Sequence, residues 1–467
     1  MINRFARRVV VPALAFSFVT ALVVGSSGLP PGAVIRIGAV FPIRSNAASL
    51  AGPELAGVRI AADLVNANGG VAGHRIELVE RNLPSGDAAD AVMRDLKAQG
   101  VQLVIGAYSS NLSIAASQAA DRAGLLYWES GAVADQLTGQ GLPMTFRVGA
   151  SGSNLGTNST TFAADELASR LGKPVSGLRV AIVAADDAYA TSVADAARST
   201  AVARGIPVVA RSSYNPAAPD WPQVMSVLKA ARPDVLILAS HIPDGIAFRQ
   251  AMLASGLKVG AFIGSTMAEC DPDFAGVLGA DAVGIFASDR PTAGFQPSAL
   301  RPDAAATYAR FADAWAAVAR ANASAWGGSS NPAGSGYDRY GGEHAAYTIQ
   351  GPDADATAEQ SEEALSGFTA AWALFHDVLP AAAGAASDGG ATAFDAPSVA
   401  AAARSIDLPE GSLPNGAGLR FSSDPARLGQ NDRAAAVIWQ WQAVRTYQFV
   451  WPPTYATGQV AFVPLAR

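Results

Sequence analysis

An α/β protein with two lobes, each built on a parallel sheet, is what this chain of 467 residues predicts, and three observations predict it. From Val34 onward, short apolar runs alternate with helical patterns, the signature of βα units. That series occurs twice. Half of the residues are hydrophobic and 15% are charged, which supplies large buried sheets, and the length exceeds what one compact core usually holds.

The elements follow in order. Arg4, Arg7 and Arg8 precede the apolar run Val9 to Val24, which ends in Gly25-Ser26-Ser27-Gly28. This is the order of a secretory signal. The run is also near the short limit for crossing a bilayer, so residues 1–28 are read as a signal peptide or as an uncleaved N-terminal anchor. Val34 to Val40 then reads as the first strand. Leu55, Val58, Ala62 and Val65 share one helical face, and Gly69-Gly70 supplies a helix stop. Strands at Ile76 to Val79, Val101 to Ile105 and Leu125 to Trp128 complete a first lobe that ends around Arg147. The second series has strand candidates at Val180 to Ala184, Val208 to Ala210, Val235 to Ala239 and Phe262-Ile263, separated by helical stretches. Gly327 to Gly342 and Ala381 to Pro397 read as long exposed loops, with a helix at Ala364 to Leu379 between them. Ala435 to Val444 reads as a strand returning to one of the sheets.

Composition excludes several classes. The formal charge is -6, and no Lys/Arg-rich block lies outside the N-terminus, so nothing here tracks a phosphate backbone. The single cysteine, Cys270, excludes an internal disulfide and any Cys-pair zinc site. His74, His241, His344 and His376 are scattered, and neither a metal nor a cofactor is expected. The nucleophile-elbow, phosphate-loop and zinc-protease motifs are missing. Ser226 with Lys229 and Ser255 with Lys258 have a Ser-x-x-Lys spacing but lack the partner motifs, so they read as helix-surface pairs. No enzyme is expected. Two lobes in one chain imply a cleft between them, a common ligand site.

Ile35 to Pro42, Asn66 to Gly73 and Val104 to Ser110 carry a resemblance to type I periplasmic solute-binding proteins of ABC importers. The likeness is strongest to the leucine/isoleucine/valine-binding branch, and it continues through Phe146-Arg147-Val148, Arg179 to Val183 and Pro233 to Leu238. It implies two Rossmann-like lobes joined by a three-segment hinge, with 34–149 plus about 290–415 in lobe I and 150–289 plus about 416–467 in lobe II. It also implies a small polar solute (amino acid, amide or carboxylate), a membrane permease as partner, and a periplasmic or extracytoplasmic location. A ligand-sensing receptor coupled to a signalling partner is the alternative.

Candidate contacts come from both sources. Ser109 and Ser110 end a strand and open a helix, so they can hold a carboxylate or simply cap the helix. The resemblance places Gly131, Ala132 and Val133 in the loop where relatives offer backbone groups and a threonine hydroxyl. Val133 stands at that threonine's place, and Leu50 stands near a family tyrosine. Tyr189 matches the aromatic residue that closes over the ligand, and His241 falls near another family tyrosine. Thr266 stands near the acid that pairs with the ammonium in amino-acid binders. Asp186, Asp187, Glu129 and Glu269 are alternative carboxylates for that role.

Overall fold

The structure, a computed structural model, describes residues 33–45, 48–270, 272–292, 294–322, 361–386, 393–444 and 446–466. The N-terminal 1–28 segment and the Gly327 to Gly342 loop lie outside these residues.

The first sheet is parallel, in the order β2-β1-β3-β4-β5. Its strands are β1 (Ile35–Phe41), β2 (Ile76–Asn82), β3 (Leu103–Gly106), β4 (Leu126–Glu129) and β5 (Thr145–Arg147). Ile37 sits opposite Leu78 on one side and Leu103 on the other. Every residue of β3 and β4 is buried, as expected for a parallel sheet covered on both faces. The cover is α1 (Ala48–Ala67), α2 (Ala89–Ala98), α3 (Ser110–Arg122) and the short α4 (Gln136–Gly139).

The second sheet runs β12-β11-β10-β9-β8-β6-β7. Parallel strands β6 (Val180–Ala185), β7 (Val208–Tyr214), β8 (Val235–Ala239), β9 (Ala261–Ser265) and β10 (Phe286–Asp289) form most of it. The antiparallel pair β11 (Val437–Ala443) and β12 (Thr446–Trp451) closes one edge. Its helices are α5 (Gly152–Phe162), continued through a π-helical turn to α6 (Ala168–Arg170), then α7 (Ala188–Ala203), α8 (Trp221–Ala231), α9 (Ile242–Ser255) and α10 (Pro272–Leu278). Sequence periodicity did not announce β5, β10 or β12. β10 is only four residues long and half of it is Ser288 and Asp289, so no apolar run marks it.

After β10 the chain forms α11 (Pro302–Asn322), α12 (Glu362–Trp372), α13 (Leu379–Ala386) and α14 (Ala396–Ser405). The expected loop at Ala381 to Pro397 is therefore helical at both described ends. Alanine has the highest helix propensity, and Leu379 and Ala382 bury an apolar face there. α12 returns to the first lobe and lies directly on α1. A Cβ at Gly57 would stand 2.1 Å from the Ala364 carbonyl oxygen, and one at Gly367 would stand 2.1 Å from that of Glu54. The two backbones touch because neither position carries a side chain. The last passage to the second sheet runs beside β5: Arg147 pairs with Gln430, and the Asn431 amide donates to the carbonyls of Val148 and Gly418.

Candidate functional site

A cavity of about 70 Å³ lies between the lobes at the C-terminal ends of parallel strands, where open α/β sheets present ligand-contacting loops. The first lobe contributes Tyr108, Ser109 and Ser110 after β3 and Gly131, Ala132 and Val133 after β4. The second lobe contributes Tyr189, His241, Thr266 and Met267, and Arg290 enters where the chain leaves β10. Eight of the nine residues anticipated from sequence are thus brought to one cavity. Leu50 is the exception: it is 7% exposed and packs in the apolar core with Leu55 and Phe41 rather than lining the cavity.

Tyr108 (φ 76°), Thr266 (φ 43°) and Met267 (φ 51°) hold left-handed backbone conformations that side chains other than glycine rarely adopt. Such conformations cost free energy and gather at functional sites, and here all three line the same cavity. Tyr108 and Met267 also meet across it, with Oη 3.6 Å from Sδ. Sequence reasoning passed over Tyr108, Met267 and Arg290, for no local pattern marks them.

The 130–132 loop is held by one carboxylate. Glu129 Oε1 accepts from the backbone N–H groups of Ser130 (3.0 Å), Gly131 (2.8 Å) and Ala132 (2.7 Å), while the Tyr127 hydroxyl donates to Oε2 at 3.1 Å. The Gly131 and Ala132 amides expected to face a ligand are therefore already engaged. Burial pushes the Glu129 carboxyl above its usual range. Glu54 on α1 lies behind the same loop, fully buried, and accepts from the Ser130 hydroxyl. Burial, helped by the Glu129 charge, pushes Glu54 up to about 8. A Cβ at Gly131 would fall 2.3 Å from Glu54 Oε2, so a side chain here requires the Glu54 carboxyl to move.

Arg290 joins the lobes. Its Nη1 donates to the Gly131 carbonyl at 2.5 Å, its Nη2 pairs with Glu362 on α12, and its Nε lies 3.9 Å from Asp289. Burial opposes its charge, but Glu362 and Asp289 outweigh that and raise its pKa. Cys270 Sγ and carboxylate oxygens of Asp289 and Glu362 lie within 4.8 Å of one another, the one group of metal-ligating type among the described residues. The guanidinium of Arg290 already supplies a cation to both of its acids.

On the second lobe, Tyr189 is a wall residue, 6% exposed, rather than a surface tyrosine. Its hydroxyl lies within hydrogen-bond reach of the carbonyls of Ser240 and Ser265 at the ends of β8 and β9, which share its single hydrogen. Its ring meets that of His241 edge-on, with centroids 5.6 Å apart. His241 Nε2 lies 3.1 Å from Asp187 Oδ2, and Nδ1 lies 3.6 Å from Asp244 Oδ1. Burial opposes a charge on this imidazole, but the two carboxylates outweigh it and raise the pKa to about 10. Because the folded pKa exceeds the unfolded value of about 6.5, this stabilisation is fully present below pH ~6.5 and is lost as pH rises toward about 10. His241→Gln should melt below the wild type at pH 6, with the gap closing by pH 10. Parallel melting curves across that range would contradict the assignment.

Among the described residues, no helix is long and apolar enough to cross a membrane. Residues 34–338 match the family model described as periplasmic binding protein. The chain is 28% identical over 434 residues to Leu/Ile/Val-binding protein homolog 8 of Brucella abortus, covering 92% of this chain and 93% of the relative. Its fold is similar to that of the branched-chain amino acid transporter substrate binding protein LivJ from Streptococcus pneumoniae, solved with isoleucine (TM-score 0.60, 18% identity, covering 90% of this chain and 100% of that one). It is also similar to that of a solute binding protein from R. palustris, solved with 4-hydroxybenzoate (TM-score 0.60, 16% identity, covering 87% of this chain and 92% of that one). The two-sheet architecture, the cavity between the sheets and the match over most of the described residues agree: this chain belongs to the periplasmic binding protein family.

Proposed function

We propose that this protein is the extracytoplasmic substrate-binding component of an ABC importer, which holds a small solute between its lobes and presents the closed form to a membrane permease. The observation that carries the reading is the interlobe cavity, walled from both sheets by residues with strained backbones and free of any nucleophile–base pair. The contacts are assigned to Ser109, Ser110, Gly131, Ala132, Val133, Tyr189, His241 and Thr266, with Tyr108, Met267 and Arg290 added. Leu50 acts only through the core behind them. The relatives' printed ligands support an amino acid or a carboxylate as solute. The chain divides as 34–149 plus about 290–415 and 150–289 plus about 416–467, with 419–431 running beside β5 before β11. Residues 1–28 direct export, whether cleaved or kept as an anchor.

A solute that binds only the folded, closed form stabilises it by RT ln(1 + [L]/Kd), about 2.7 kcal/mol at a hundredfold excess over Kd. Melting curves of the exported chain against amino acids, amides and organic acids should show at least one clear upward shift. If none shifts the transition while a substrate is turned over, the receptor reading fails.

A further inference from the structure

We infer that the solute is an organic acid with an apolar body and no amine: a carboxylate anion, not a zwitterionic amino acid. This rests on the receptor reading above and concerns the same cavity. An ammonium group carries three donors and no acceptor, so once desolvated it needs carbonyls or an acid around it. The cavity offers little of either. None of its lining residues is Asp or Glu. Three of its loop carbonyls already accept a bond within the protein: Gly131 from Arg290, Ala132 from Arg147 and Val133 from the Gly152 N–H. On the opposite wall, the Ser240 and Ser265 carbonyls share the single Tyr189 hydroxyl hydrogen.

The neighbouring acids are engaged as well. Glu129 is taken by three backbone N–H groups, Asp187 by the Ala190 N–H and His241, Asp244 by His241 and the Tyr214 hydroxyl, Asp289 by the Arg290 backbone N–H, and Glu362 by the Arg290 guanidinium. Glu269 is fully buried and does not line the cavity, and burial pushes its carboxyl well above the usual range.

Donors are what remain. Arg290 lines the cavity and is 6% exposed, and its Nε–H, 3.9 Å from Asp289, has no hydrogen-bond acceptor. Ser110 Oγ accepts from the Ala134 N–H at 3.1 Å, which leaves its own hydrogen to donate. Ser109 caps the 13-residue helix α3 without a side-chain cap bond and lines the cavity beside Ser110, at the helix end where backbone N–H groups lack partners within the helix. A carboxylate is acceptor-only and makes its strongest bonds to a guanidinium. Tyr108, Val133, Tyr189 and Met267 give its body an apolar, polarizable surround.

The test is calorimetric titration of the exported chain with two matched series. One is 4-methylpentanoate, leucine, 4-methylpentanamide and 3-methylbutylamine; the other is phenylacetate, phenylglycine, 2-phenylacetamide and benzylamine. In whichever series binds, the acid should exceed both the amino acid and the amide in affinity by about tenfold or more, the scale of one charge-assisted hydrogen bond. Tighter binding of leucine or phenylglycine, or equal binding of acid and amide, overturns the inference and leaves the receptor reading intact. If neither series binds, the inference fails as stated; only a silent melting screen together with turnover of a substrate removes the receptor as well. Ser109→Asp gives a second readout, since aspartate is an equally good helix cap and the fold should persist. It should weaken the acid by about tenfold and narrow its lead over the amino acid. An unchanged ratio in a variant that melts like the wild type also overturns the inference.

Discussion

Glu129→Ala should cost several kcal/mol of stability and take solute affinity with it. One carboxylate oxygen holds three consecutive backbone N–H groups, and the loop they belong to forms the first-lobe wall of the cavity. Each buried donor left without an acceptor costs roughly 1–3 kcal/mol, and the three losses will not simply add, because the loop relaxes as a unit. Glu129→Gln keeps an amide oxygen in place and should lose less than half as much. Denaturant titration of both variants, paired with calorimetry on the best solute, reads the two effects together. Equal destabilisation by Ala and Gln would mean that packing, not the three hydrogen bonds, holds the loop.

Glu54→Gln is the opposite case, a substitution that should stabilise. The folded protein keeps the Glu54 proton up to pH about 8, whereas the unfolded chain releases it near 4.5. Raising pH through this window therefore favours the unfolded state, by up to ~1.4 kcal/mol per unit and a few kcal/mol in all. Glutamine retains an acceptor for Ser130 and never ionises. The variant should match the wild type below pH 4.5, gain through the window and stay ahead by a constant margin above pH 8. Denaturation midpoints at pH 5, 7 and 9 check this. No gain at pH 9 would show that Glu54 is already charged and accommodated at neutral pH.

These two acids also show where reading the chain stops. Glu129 is visible as a carboxylate at the end of an apolar run, and the sequence weighed it as a partner for a ligand ammonium. Its oxygens instead serve the loop's own amides, a choice set by the tight turn after β4. Glu54 shows only as one polar position on a helix. It becomes chemically significant because α1 is pinned under α12 by Gly57 and Gly367, which brings it to Ser130 across 76 residues of chain. Tyr189 was legible as an aromatic residue near the site, but the fate of its hydroxyl depends on where two separate strands end.

By itself, the sequence determined the βα alternation, the two lobes, the loops at strand ends and the family likeness, because these depend on patterns that repeat over a few residues. Ser109, Ser110 and the 131–133 loop fall into place for that reason: each follows a strand whose apolar run is readable. Only the tertiary structure decided which polar groups are left for a ligand. Arg290 reaches Gly131 across 159 residues, and α12 supplies Glu362 from the last third of the chain. Hydrogen-bond capacity is shared out among neighbours in space. Which donors and acceptors face the cavity is therefore settled only once the two lobes are folded against each other.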